Sequence, residues 1–368
     1  MHYPIARPYI TKEEEKNVLT VLRSGTLSIG PWIEQLEQKF AKMLGVKYAC
    51  AVSSGTAGLH IALVAAGIGD GDEVITSPFS FVASSNSILY VGAKPVFIDV
   101  DPVTYNMDPT KIEKCITKKT KAIMPVHIFG QTCDMAEITR IAKKHKLLII
   151  EDACESLRAM YRAKEAGTFG LAGVFAFYAN KQMTTGEGGM IVTNDKRIYD
   201  LAKSLRNQGR APNMQWLDHD RLGFNYRMDE MSAALGVAQL TKLPMSIRER
   251  KKIAGWYNKH LAPYKKWVVT PKVAQHNSHT YFVYVVQIVK KGSRRDETIR
   301  RLAAQGIGSK PYLPSIHLFS FYKKLLGTKK GDFPISETIS DRTLALPLYV
   351  GLTEKDVQII VRTLISIL

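Results

Sequence analysis

The amino-acid sequence predicts an α/β protein whose sheet is largely parallel and is covered by helices on both faces. Two observations predict this class. Short apolar runs, each the length of a buried strand, alternate with segments of helical periodicity through the first half of the chain. The chain also has 368 residues with 45% hydrophobic content, which suits a sizeable core and about two domains.

The candidate strands are seven apolar runs, at residues 48–53, 73–77, 95–100, 122–127, 147–152, 173–178 and 189–193. Helical patterns lie between several of these runs, for example at residues 55–66 and 135–146. Parallel strands need a crossover between them, and an intervening helix is the usual crossover. The alternation therefore favours parallel pairing over hairpins.

The second half of the chain has a different organisation. An Ala- and Leu-rich helix is predicted at residues 229–241, and Leu243-Pro244-Met245 separates it from a basic helix. Residues 281–288 alternate as in a strand, and helix–turn segments follow. We therefore predict a large α/β domain at residues 1–244 and a smaller α+β domain at residues 245–368.

Lys181 is the first candidate for chemistry. It follows an apolar, strand-like run and precedes the glycine-rich turn Thr184-Thr185-Gly186-Glu187-Gly188-Gly189. A lysine amine that loses solvation at a strand end becomes available as a nucleophile, and Schiff-base chemistry with pyridoxal phosphate (PLP) uses such an amine. In a chain with 51 Lys and Arg residues, a solvated lysine at a strand end is the alternative interpretation.

Two further patterns lie upstream of Lys181. The apolar run at residues 147–152 ends in two carboxylates. PLP needs an acid at its pyridine nitrogen, because the protonated ring is the electron sink, and Asp152 is the candidate. Ser54, Gly55 and Thr56 open a small-residue helix whose free N–H groups suit a phosphate. A carboxylate or serine that only caps a helix is the alternative in both places.

The order of these segments resembles the PLP-dependent sugar aminotransferases of the DegT/DnrJ/StrS type, which share the aspartate aminotransferase fold. The resemblance covers nearly the whole chain. It rests on the Ser54-Gly55-Thr56 turn, the Lys181 block and the segments at residues 24–30, 71–76, 93–99, 125–130, 151–156, 223–228 and 346–349. It implies fold type I, with a mixed, mostly parallel seven-stranded sheet and a smaller C-terminal α+β domain.

The resemblance also implies roles for individual residues. Lys181 is similar to the lysine that carries PLP and then moves the proton, and Asp152 to the pyridinium partner. Glu155 matches the position near the phenolic oxygen of PLP. Phe81 matches the aromatic that stacks on the ring, where a flat apolar face excludes water.

Ser54, Gly55 and Thr56 match the phosphate-binding turn of the family. Asn225 matches a residue that reaches the phosphate across a subunit interface. The resemblance therefore implies a homodimer whose two active sites are shared between the subunits, with PLP as cofactor and pyridoxamine phosphate as its intermediate form.

The sequence also departs from the family pattern. Ala176 stands where the family commonly has a serine whose hydroxyl helps to hold the phosphate, and Arg158 and Ala163 stand where glycine is common. Loss of one hydrogen bond costs about 1 kcal/mol. Arg158 is open to two interpretations, a new phosphate contact or a disturbed backbone. Weaker retention of PLP is the expectation.

The family transfers the amino group of glutamate to a keto group of a nucleotide-linked deoxysugar, in aminodeoxysugar synthesis for polysaccharides such as O-antigen. Segments at residues 104–108, 180–181, 207–209 and 310–317 are similar to the branch that converts GDP-4-keto-6-deoxymannose to GDP-perosamine. Lys310, His317 and Arg162 are the candidates for contacts with the sugar or nucleotide, and ordinary surface or packing roles are the alternative. A UDP- or dTDP-linked keto sugar remains open as the substrate.

Composition bears on the other function classes. No apolar run approaches the roughly 20 residues of a membrane span, and no secretory leader opens the chain, so a cytoplasmic location is expected. The four cysteines lack metal or disulfide spacing, and no metal is expected. The net charge of +18 is scattered in short clusters, so a nucleic-acid binder is the least favoured alternative. A catalytically weak relative that binds a nucleotide sugar or has a regulatory role is a more favoured alternative. A PLP-dependent dehydratase is disfavoured by Lys181, because such relatives carry histidine there.

Overall fold

The computed structural model describes residues 2–211 and 218–368. The helices are α1 (Lys12–Ser24), α2 (Pro31–Leu44), α3 (Gly55–Ala65), α4 (Ala83–Tyr90), α5 (Met135–His145), α6 (Lys196–Arg206), α7 (Glu230–Leu261), α8 (Arg295–Ala304), α9 (Ser320–Leu326), α10 (Pro334–Arg342) and α11 (Glu354–Ile367). The strands are β1 (Tyr48–Val52), β2 (Glu73–Thr76), β3 (Lys94–Phe97), β4 (Thr120–Ile123), β5 (Leu148–Asp152), β6 (Met160–Tyr161), β7 (Lys164–Glu165), β8 (Ala172–Ala176), β9 (Gly189–Thr193), β10 (Val268–Val269), β11 (Asn277–Ser278), β12 (Tyr284–Ile288), β13 (Lys310–Pro311) and β14 (Thr343–Leu346).

The central sheet has seven strands in the order β1-β9-β8-β5-β4-β2-β3. Neighbours from β8 to β3 pair in parallel, and β9 runs antiparallel to both β8 and β1. All seven predicted strands are present in it, so the predicted mixed, mostly parallel sheet is confirmed. Helices cover both of its faces, because two separate hydrophobic clusters include residues of the same strands.

Alternation along the strands builds these two clusters. In β8, Val174 packs in the cluster with α3, whereas Phe175 packs in the cluster with α2 and the first part of α7. Gly189 begins β9 where a side chain would not fit, since a Cβ there would lie 2.6 Å from the carbonyl oxygen of Ser54. This close approach brings the glycine-rich turn after Lys181 under the start of α3.

A second sheet of four antiparallel strands, in the order β10-β12-β14-β13, forms in the C-terminal part of the chain. It has its own hydrophobic cluster, with α11 and the second part of α7. The strand predicted from the alternation at residues 281–288 is β12, although it begins at Tyr284. The division at residues 244 and 245 stays a prediction.

The prediction that a helix ends at residue 241 is wrong. α7 is one helix of 32 residues, and Pro244 lies inside it. A proline within a helix removes one backbone hydrogen bond. Burial on both sides of it outweighs that loss, because Leu243 packs in the large-sheet core and Tyr257 in the core of the second sheet.

Candidate active site

A cleft of about 350 Å³ opens where β5 and β8 end and α3 begins. Segments that are far apart in the sequence line it: the start of α3, the start of α4, the end of β5, the turn around Lys181, and Phe282, Tyr312 and Leu313 from the C-terminal part of the chain. Ligands of open α/β sheets bind at the carboxyl ends of the strands, and this cleft has that position.

Lys181 lies in the turn that follows β8, and its backbone N–H donates to the carbonyl of Tyr178. Its Nζ lies 3.6 Å from Oε1 of Glu155 and 4.1 Å from the ring centroid of Phe282. The side chain is 13% exposed, so the amine faces the cleft rather than open solvent. A carboxylate and an aromatic face therefore hold the amine in place.

Asp152 is the last residue of β5 and is 5% exposed. Its Oδ2 accepts a hydrogen bond from Oγ of Ser84 at 2.6 Å, and its Oδ1 accepts one from the backbone N–H of Cys154 at 3.1 Å. These two donors fix the carboxylate at one wall of the cleft. An acid in this position is suited to pair with a cationic ring nitrogen.

Glu155 is buried beside Lys181. Its Oε2 accepts from the backbone N–H of Phe129 at 3.0 Å. Burial raises the pKa of the Glu155 carboxyl above its ordinary value, while Lys181 and the Phe129 N–H act in the opposite direction. The site thus holds a carboxyl group that takes up a proton more readily than one in water.

The start of α3 forms the opposite wall. Oγ of Ser54 accepts from the N–H of Ala57 at 3.0 Å, while the N–H groups of Gly55 and Thr56 have no partner within the helix. A Cβ at Gly55 would lie 2.7 Å from Cβ of Ala176 and 3.0 Å from Sγ of Cys154. Glycine is therefore needed at this helix start, which remains open to an anion.

Phe81 lines the cleft and is 61% exposed. Tyr178, which sequence reasoning did not single out, also lines it and is 51% exposed. Two exposed aromatic faces beside one cleft offer an apolar surface that a planar ligand could cover. The structure thus brings Ser54, Gly55, Thr56, Phe81, Asp152, Glu155 and Lys181 to one cleft.

Four other candidates do not line this cleft. His317 is fully buried, with Nε2 3.0 Å from Oε1 of Glu337. Lys310 is exposed in β13, paired with Ala345 of β14. The guanidinium of Arg162 lies over the ring of Tyr161, and Asn225 is exposed on a bridge to Asn207. For Asn225 this position is compatible with a contact to another subunit.

The departures from the family pattern have distinct surroundings. Arg158 has a φ of +64°, the backbone conformation that favours glycine. Its guanidinium forms an ion pair with Glu165 and donates to the carbonyl of Met43 at 3.0 Å, so it contacts other parts of the fold and does not line the cleft. Ala176 does line the cleft, directly beside Gly55.

Sequence reasoning did not assign roles to several residues of the cleft. Ser84 supports Asp152 from α4, and Phe282 lies under the amine of Lys181. Tyr312 also lines the cleft, whereas the sequence predicts a substrate contact at Lys310 of the same segment. No local pattern identifies these positions, because each reaches the cleft only through the tertiary fold.

Comparison with known proteins agrees with this geometry. The family model of the DegT/DnrJ/EryC1/StrS aminotransferases matches residues 8–365. The chain belongs to this family. A similar curated protein is the GDP-perosamine synthase of Caulobacter vibrioides, with 41% identity over 366 residues, covering 99% of this chain and 98% of that protein.

Solved structures of similar proteins extend the comparison. PseC of Helicobacter pylori, an aminotransferase involved in the biosynthesis of pseudoaminic acid, has a TM-score of 0.94 at 28% identity, with 100% of this chain and 99% of that chain covered. Spr1654 of Streptococcus pneumoniae, solved in a PLP form, has a TM-score of 0.93 at 26% identity, with 100% and 98% covered. This DegT/DnrJ/EryC1/StrS aminotransferase is thus a PLP-dependent enzyme of fold type I.

The cleft of this aminotransferase fits PLP. The uncapped N–H groups of Gly55 and Thr56 suit the phosphate, and the amine of Lys181 and the carboxylate of Asp152 face the same space. Within residues 2–211 and 218–368, no cluster of His, Cys, Asp and Glu side chains is arranged to hold a metal ion. Across the same residues, every helix is too short or too polar to cross a membrane.

Proposed function

We propose that this aminotransferase moves the amino group of glutamate to the keto group of a nucleotide-linked 4-keto-6-deoxyhexose, with GDP-4-keto-6-deoxymannose and its product GDP-perosamine as the first choice. The observation that carries the proposal is the amine of Lys181, held between Glu155 and Phe282 in a cleft that also contains Asp152. The similarity of this chain to the GDP-perosamine synthase of Caulobacter vibrioides supports the choice of sugar.

PLP, when bound, supplies an electron sink for the carbon that gains or loses the amino group. Lys181 binds the cofactor and, once free, its Nζ moves the proton at that carbon. Asp152 orients the ring and holds the proton at its nitrogen. The N–H groups of Gly55 and Thr56 bind the phosphate, and Phe81 covers one ring face and excludes water. The carboxyl of Glu155 lies within reach of the same amine.

The charges of the cleft bear on how the substrates bind. Among the described lining residues, Lys181 is the single cation, against the three acids Asp152, Glu155 and Glu187. Such a lining does not by itself attract a nucleotide pyrophosphate or the two carboxylates of glutamate. We propose that a second subunit supplies the missing cationic and polar groups.

The surface supports a homodimer of this kind. Large apolar side chains are exposed along α1 and the segment after it, at Leu19, Leu22, Leu27 and Ile29. These four side chains lie within residues 19–29, and a contiguous exposed apolar surface is typical of an association site. In the proposed dimer, Asn225 contacts the phosphate bound to the other subunit. A cytoplasmic location completes the proposal, since all four cysteines are free thiols.

The test is a transamination assay on the purified protein with PLP and glutamate. GDP-, UDP- and dTDP-linked 4-keto-6-deoxyhexoses are offered separately, and the products are identified by mass. We expect an amino sugar from the GDP-linked substrate together with 2-oxoglutarate. Faster turnover of a UDP- or dTDP-linked sugar would move the proposal to that nucleotide, and no product with any of them would refute it.

A further inference from the structure

A buried pair of ionisable side chains lies behind the cleft and has no part in the roles given above. His127 and Glu151 are both 0% exposed, and Nε2 of His127 lies 2.9 Å from Oε2 of Glu151. Glu151 directly precedes Asp152 in β5. Successive strand residues point to opposite faces, so Glu151 lies on the side of the strand away from the side chain of Asp152.

The carboxylate of Glu151 is fully satisfied in the core. Its Oε1 accepts from the backbone N–H groups of Phe169 at 2.6 Å and Gly170 at 2.7 Å. Its Oε2 accepts from the N–H of Gly167 at 2.7 Å in addition to the His127 ring. Three backbone donors and one imidazole donor thus satisfy both oxygens, as a buried carboxylate requires.

His127 has a defined tautomer. Its Nδ1 accepts from the backbone N–H of Cys133 at 3.1 Å, so the ring proton is on Nε2 and is donated to Glu151. The backbone of His127 is equally fixed. Its N–H donates to the carbonyl of Asp152 at 3.0 Å, and its carbonyl accepts from Oγ of Ser156 at 2.5 Å.

These contacts connect the pair to Asp152. The backbone N–H of Asp152 donates to Pro125 at 3.0 Å and its carbonyl accepts from His127, so the residue is held on both sides by the segment that contains His127. The side-chain hydrogen bonds of His127 and Glu151 join three parts of the fold: the segment that contains His127, the loop at residues 167–170 and the end of β5. The same segment also reaches the cleft at Glu155, whose Oε2 accepts from the N–H of Phe129 at 3.0 Å. The strand end at Asp152 is the part of the cleft that the segment holds on both sides.

We infer that the His127–Glu151 pair is a positioning device for Asp152, which sets the distance between its carboxylate and the ring nitrogen of PLP. This inference rests on the role proposed for Asp152. It predicts that the pair contributes to the binding of PLP mainly through that nitrogen. A purely structural role would instead affect every ligand of the cleft to the same extent.

The test compares the binding of PLP with that of its 1-deaza analogue, in which a C–H group replaces the ring nitrogen. H127N keeps an acceptor for Cys133 but loses the donor to Glu151, and H127Q keeps an amide donor of suitable length. Loss of a hydrogen bond to a charged group weakens binding about ten- to a hundredfold. We expect H127N to lose PLP affinity to this extent but to lose much less affinity for the deaza analogue, and H127Q to retain most of its PLP affinity.

A matched control is H317N, which breaks the other buried His–Glu pair, with a Nε2–Oε1 distance of 3.0 Å to Glu337. It should change neither affinity. Should H127N not fold, E151D withdraws the carboxylate from the same imidazole and gives the same comparison. Equal losses for both cofactors, or no loss of PLP affinity, would overturn the inference. Failure of the unmodified protein to bind PLP would instead overturn the proposed function.

Discussion

Nζ of Lys181 and Oε1 of Glu155 lie 3.6 Å apart in a cleft where Lys181 is the single cation among the described lining residues. The amine of Lys181 is thus held by an acid whose pKa is raised through burial. The proposed proton transfer therefore depends on the single amine of Lys181, and replacing Lys181 tests it directly.

We expect Lys181→Ala to lower kcat by at least about a hundredfold, because general acid–base catalysis alone contributes about 10²–10⁴-fold. Steady-state transamination rates measure this change. Borohydride reduction of the PLP-loaded protein, followed by peptide mass mapping, should find the cofactor on Lys181. Lys242, also a partly buried lysine in an ion pair, with Glu14, is the matched control and should remain unlabelled. Labelling of another lysine, or appreciable turnover by the variant, would contradict the assignment.

Ala176→Ser should tighten the binding of PLP by about three- to tenfold, which corresponds to one added hydrogen bond. Ala176 lies beside Gly55, so the proposed phosphate would be the acceptor for a hydroxyl at this position. Equilibrium dissociation constants from fluorescence titration measure the change. Ala176→Val adds volume without a donor and should weaken binding. An unchanged or weaker constant for the serine variant would show that the phosphate lies elsewhere.

Gly55→Ala should weaken the binding of PLP, because the new Cβ would lie 2.7 Å from Cβ of Ala176 at the wall of the cleft. Gly58→Ala is the control within the same helix. Its Cβ would lie 2.7 Å from Cγ1 of Val174 in the core, so it should lower stability and leave PLP affinity nearly unchanged. Thermal unfolding and PLP titration of both variants separate the two effects. Equal losses of affinity would be evidence against a phosphate site at Gly55.

His279 should make stability depend on pH. Burial, with a smaller contribution from Lys251, lowers the pKa of His279 to about 3 in the folded protein. Its Nδ1 accepts from the N–H of Tyr281 at 2.9 Å, which fits a neutral ring. The unfolded chain takes up a proton near pH 6.5 whereas the folded chain does not, so this stability is present above about pH 6.5 and is lost as the pH falls toward 3.

The measurement is urea unfolding of the protein and of His279→Asn between pH 7.5 and 4.5. Relative to the variant, the free energy of unfolding of the protein should fall by about 1.4 kcal/mol per pH unit below pH 6.5. Asparagine keeps an acceptor for Tyr281 and does not titrate. A difference between the two proteins that stays constant with pH would show that His279 takes up its proton as readily in the folded chain as in the unfolded one.

The sequence predicts much of the large sheet because its signals are local. Each strand is a short apolar run, and the start of α3 carries its own cap at Ser54. The end of the helix predicted at residue 241 is different, since Pro244 is a strong local signal that tertiary burial of Leu243 and Tyr257 overrides.

The same distinction holds in the site. Ser54 caps a helix, Asp152 ends a strand and Lys181 lies in the turn after β8, and at such places position along the chain already indicates position in the fold. His317 carries no comparable signal. Its neighbours in the sequence suggest a substrate contact, whereas the fold pairs it with Glu337 away from the cleft. Phe282 and Tyr312 show the converse case, in which only the fold reveals a residue of the cleft.

The lining of the cleft, which runs from Ser54 to Leu313, has a consequence for biogenesis. During synthesis, the proposed phosphate site at α3 leaves the ribosome long before Phe282 and Tyr312 are made. The newly made N-terminal segments cannot enclose the cofactor alone, and firm uptake of PLP has to wait until nearly the entire polypeptide has emerged and folded. Binding of PLP should therefore follow complete folding of the chain. A chain that lacks Phe282 and Tyr312 should remain colourless when PLP is added.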